Sequence, residues 1–77
     1  LIDGRSIDQE ALGRLLDRLE REPRVAMAHL AVPAAAVQPM EAWVASHPHL
    51  LPVDVLEASL PLPELARARG CSRIVAP

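Results

Sequence analysis

Apolar residues recur at helical spacing near the start of the chain. Ile7, Ala11, Leu12, Leu15, Leu16 and Leu19 form one continuous stripe, the pattern of an amphipathic helix packed on a core. Ser6-Ile7-Asp8-Gln9 in front of it has the form of a capping box, with Gln9 reaching back to the cap. Asp17, Arg18, Glu20, Arg21 and Glu22 fill the far side and the end, and Pro23 stops the hydrogen-bond ladder. Elsewhere the apolar positions run together instead of recurring. Leu1-Ile2, Arg24 to Val32, Leu50 to Leu56 and Ile74-Val75-Ala76 are such runs, as expected for strands covered on both faces of a parallel sheet. Pro52 suits a strand entry.

Two further helices lie between these runs. Pro39 would kink one long helix, so the expectation is a turn and then a short helix starting at that residue, with Met40, Trp43 and Val44 as its core face. Pro63 to Arg69 predicts another, with Glu64 at its positive end and Gly70 as the left-handed cap. The summed order is β-α-β-α-β-α-β. It predicts one α/β unit over residues 1–77 with a mostly parallel sheet, an incomplete piece of a larger Rossmann-like or doubly wound domain.

Composition narrows the setting. The chain has 77 residues, 51% of them apolar, so its core is small and built from Ala, Leu and Val. A single cysteine, Cys71, makes no internal disulfide. Lys, Asn, Thr, Phe and Tyr are absent and all eight cations are arginines, which points to a GC-rich bacterial gene. A net charge of −2 gives no electrostatic footprint for nucleic acid. No apolar segment has the length of a membrane span, and Leu1 to Arg5 is no signal peptide. The chain does not begin with Met, so residue 1 is read as an internal start. The expectation is a cytoplasmic protein, with no nucleic acid or membrane partner. Its apolar faces would be covered by the remainder of its own chain or by a partner protein.

Open α/β sheets bind ligands beyond the carboxyl ends of their strands. That rule nominates Asp3, Gly4 and Arg5, the neighbours of Pro33, Glu57 to Ser59, and whatever follows Pro77. Asp3, Arg5, Glu57 and Ser59 are the candidate catalytic residues; Asp3-Gly4 read alone is a turn. Asp54 points away from Val53 and Val55, which predicts a solvated position on an edge strand. His47-Pro48-His49 has chelating geometry but lacks a third ligand at metal-site spacing, so no metal is assigned. His29 reads as a hydrogen-bonded core histidine. Cys71 follows a helix end, where the dipole opposes a thiolate. Arg14, Arg18 and Arg21 alternate with Asp17 and Glu20 as a solvated face. Neither glycine-rich phosphate motif nor a nucleophile elbow occurs, and no cofactor is identified.

Leu62-Pro63-Glu64-Leu65-Ala66-Arg67-Ala68-Arg69-Gly70-Cys71-Ser72-Arg73-Ile74-Val75 resembles the helix–glycine–strand step that closes many nucleotide-associated α/β domains. The amino-terminal domain of photolyases and cryptochromes has a similar step, which implies the same fold class. Two functions follow as expectations. One is a segment of a bacterial enzyme or of a cofactor- or nucleotide-binding domain; the other is a non-catalytic interaction or scaffold module covered by a partner.

Overall fold

The computed structural model describes residues Leu1–Ala76. Six elements follow one another: β1 (Ile2–Asp3), α1 (Gln9–Glu20), β2 (Ala28–Val32), α2 (Ala34–Ala45), β3 (Val53–Glu57) and α3 (Leu62–Ala68). The strands form one parallel sheet in the order β1-β2-β3. In place of a fourth strand, the last apolar run makes one parallel bridge, Ile2 to Val75, on the free side of β1. Val75 N–H donates to Leu1 O at 2.8 Å, and Asp3 N–H donates to Val75 O at 2.9 Å.

Strand alternation assigns the two faces. Ile2, Ala28, Leu30, Val32, Val53 and Val55 point one way and pack with Leu12, Leu15, Leu16 and Leu19 of α1 and Met40 of α2. Leu1, Ala31 and Leu56 point the other way and meet Leu65 and Ala66 of α3. Two crossovers that advance across the sheet therefore leave their helices on one face, and the crossover that returns past β1 leaves its helix on the other. That is what right-handed connections require.

Several boundaries differ from the sequence expectation. α1 begins at Gln9 because Asp8, not Ser6, is its cap, with the carboxylate accepting from Ala11 N–H at 2.7 Å. α2 starts five residues before Pro39 and runs through it. The Ala34-Ala35-Ala36 run favours helix strongly, and it carries the helix past Pro39, which removes the hydrogen bond its own N–H would give Ala35 O and crowds that carbonyl. β2 is shorter than its apolar run: register with β3 begins at Ala28 opposite Val53, and Met27 stays exposed. Pro52 sits at the strand entry as expected, its carbonyl accepting from Ala28 N–H. α3 ends as read. Gly70 has φ +72°, while Cys71 N–H reaches Ala66 O at 2.8 Å and Gly70 N–H reaches Arg67 O at 3.2 Å, a Schellman cap. Among the described residues, no helix is long and apolar enough to cross a membrane.

Candidate functional site

The chain leaves β1 at its carboxyl end through Asp3-Gly4-Arg5-Ser6, beside the bridged segment at Val75. Gly4 lies tight against β2. A Cβ there would come 2.6 Å from Leu30 Cδ1 and 2.8 Å from Ala31 O, and Gly4 N–H donates to that same carbonyl at 2.8 Å. Only glycine allows this approach. It turns the chain sharply enough for Arg5 to fold back on Asp3. Arg5 Nε donates to Asp3 Oδ1 and one Nη to Oδ2, each at 2.9 Å, and the Arg5 backbone N–H adds a bond to Oδ1 at 3.2 Å. The guanidinium hydrogen bond holds the Asp3 carboxyl below the usual range, against a smaller opposing effect of burial. Asp3, Arg5, Ser6 and Ala76 line an open cleft here.

Glu57 and Ser59 stand elsewhere. They are exposed at the end of β3, two strands from Asp3, or about 10 Å by strand spacing. Glu57 borders a separate groove against Ala34, Val37 and Pro39 of α2. Two of the four nominated residues thus share a cleft with Ser6, and two do not. The sequence pattern predicts Ser6 as a helix cap, and the two-residue shift of that cap to Asp8 frees it for the cleft.

The three histidines fall in two further clusters. On the α3 face, His29 and Asp54 are opposite each other in register, and His29 Nδ1 lies 3.0 Å from Asp54 Oδ2. Arg69 approaches the same oxygen at 3.7 Å. β3 is an edge strand, as expected for Asp54, but the carboxylate is paired where solvation was expected. His29 also borders a cavity of ≈ 220 Å³ together with Arg24, Cys71, Ser72 and Arg73. No local motif signals this trio, because it depends on strand register and on where α3 ends. In the second cluster, Trp43 stacks on His47 with ring centroids 4.3 Å apart, and His49 follows at 5.9 Å. His47 Nδ1 is engaged at 2.8 Å from Trp43 O. Among the described residues, no three His, Cys, Asp or Glu side chains are grouped to hold a metal.

Set against protein-family models, curated proteins and solved structures, the chain matches none.

Proposed function

We propose that this chain is a ligand-binding segment of a Rossmann-like, doubly wound α/β enzyme or cofactor- or nucleotide-binding domain, with its site at Asp3, Arg5 and Ser6. One observation carries the reading. α1 and α2 cover one face, α3 covers the other, and Val75 pairs on the far side of β1. Connections therefore depart in opposite directions on the two sides of β1, and in open α/β sheets such a reversal opens a crevice where ligands bind. The cleft of Asp3, Arg5, Ser6 and Ala76 lies at that point. Glu57 and Ser59 join only for a ligand long enough to cross two strands.

The test is a 15N-resolved NMR titration with nucleosides, nucleotides and small phosphorylated metabolites. Shifts concentrated at residues 3–6 and Ala76 are expected; shifts confined to the His29 or His47 clusters would sink the assignment. The open outer edge of β3, with Val53 and Val55 only half-buried, favours a second reading as an interaction module. Exposed strand edges accept a partner strand. Sedimentation separates the two, since a stable monomer without ligand argues against an obligate partner.

A further inference from the structure

Three backbone donors around the β1 tip already have partners, and this limits what can bind there. Gly4 N–H is committed to Ala31 O, Arg5 N–H to Asp3 Oδ1, and Ala11 N–H, at the start of α1, to Asp8 Oδ1. A phosphate cradle needs such amides pointing outward. Asp8 and Glu10 also place two negative charges at the end of α1 that a phosphate would need. The cation offers no remedy, because Arg5 is neutralised in a two-pronged pair with Asp3.

What remains open is different in kind. An ionised carboxylate has about four acceptor positions, and Arg5 takes three of those on Asp3, leaving one on Oδ2. Arg5 keeps unspent N–H groups, and Ser6, exposed at the same cleft, carries a hydroxyl that can donate or accept. Acceptor, donor and hydroxyl thus stand side by side with their charge internally cancelled. Hydroxyl groups, each donor and acceptor at once, complement that set; an anion does not.

Resting on the site proposed above, we infer that the β1-tip cleft binds a neutral vicinal diol, with one hydroxyl donating to Asp3 Oδ2 and accepting from Arg5 and the other meeting Ser6. The diol belongs either to a free sugar or to the ribose of a nucleoside.

The experiment titrates the 15N-labelled chain with adenosine, 2′-deoxyadenosine, methyl riboside and inorganic phosphate at millimolar concentration. Adenosine is expected to shift the amides of residues 3–6, with 2′-deoxyadenosine weaker by about ten- to a hundredfold for the lost charge-assisted bond. Methyl riboside matching adenosine assigns the site to sugars; adenosine alone assigns it to nucleosides. Asp3→Asn abolishes the preference, whereas Arg5→Ala, which leaves the carboxylate in place, retains it even if both ligands weaken. Dispersed amide spectra show that each variant is folded. Equal binding of the two nucleosides, or shifts at residues 3–6 with phosphate, overturns the diol and leaves the site standing. No shift at residues 3–6 or Ala76 with any of the four probes overturns both.

Discussion

Gly4 and Gly13 make opposite demands, and the space around each decides which. A methyl at Gly4 meets the Ala31 carbonyl at 2.8 Å, and backbone cannot swing aside as a side chain can. Gly4→Ala is expected to lower unfolding free energy by about 1–3 kcal/mol in urea denaturation. At Gly13 the added carbon would sit 3.8 Å from Trp43 Cζ2, an ordinary contact. Gly13→Ala should therefore stabilise by about 0.5–1 kcal/mol through helix propensity; a loss would mean that α1 and Trp43 pack closer than described. Asp3 makes a third demand. The guanidinium hydrogen bond lowers its folded carboxyl pKa, so its contribution is present above the unfolded value and fades as pH falls through the folded one. In an NMR titration Asp3 should lose its proton at lower pH in the wild type than in Arg5→Ala. Coincident curves would remove the ion pair from the account.

At the scale of elements, legibility followed how local the cause is. α3 and its cap were readable because Pro63, Glu64 and Gly70 act within one turn of themselves. Gly70→Ala is expected to cost about 1–2 kcal/mol, purely for holding φ at +72° in otherwise open space. The α1 stripe was equally plain, yet its cap was not: Ser6 and Asp8 are both good caps, and the tight exit from β1 at Gly4 decides between them. α2 departs from the sequence expectation at Pro39: the local rule holds, but the lost hydrogen bond and the crowded Ala35 carbonyl are outweighed by packing of Met40 and Trp43 against the α1 layer. Replacing Pro39 with alanine restores the N–H toward Ala35 O and should raise the melting temperature; a fall would show that the ring itself supports the helix. For the site, Asp3 and Arg5 were legible from strand-end position alone. Ser6 was not, and neither was the His29–Asp54–Arg69 trio, since both depend on register and cap placement.

The whole molecule is lopsided. Two helices of 12 residues cover one face of the sheet, and one of seven covers the other. The thinner side is also the polar one, with His29 and Asp54 on it. Local opening follows the thinner packing, so amides of α3 should exchange with solvent at lower free energy than those of α1 and β2. Equal protection would mean that the Schellman cap and the Arg69 contact make α3 part of the same cooperative unit.

The bridge at Val75 has a consequence in time. β1 lies between β2 and Val75, so one flank of the strand is completed only by residues far downstream of it. Closing Leu1 and Asp3 onto Val75 joins residues far apart in sequence, the kind of contact that slows folding. Until residue 75 has left the ribosome, the flank of β1 beside Asp3 stays unpaired, an adhesive edge for other nascent chains. The candidate cleft, bordered by Ala76, thus cannot form until that contact has closed.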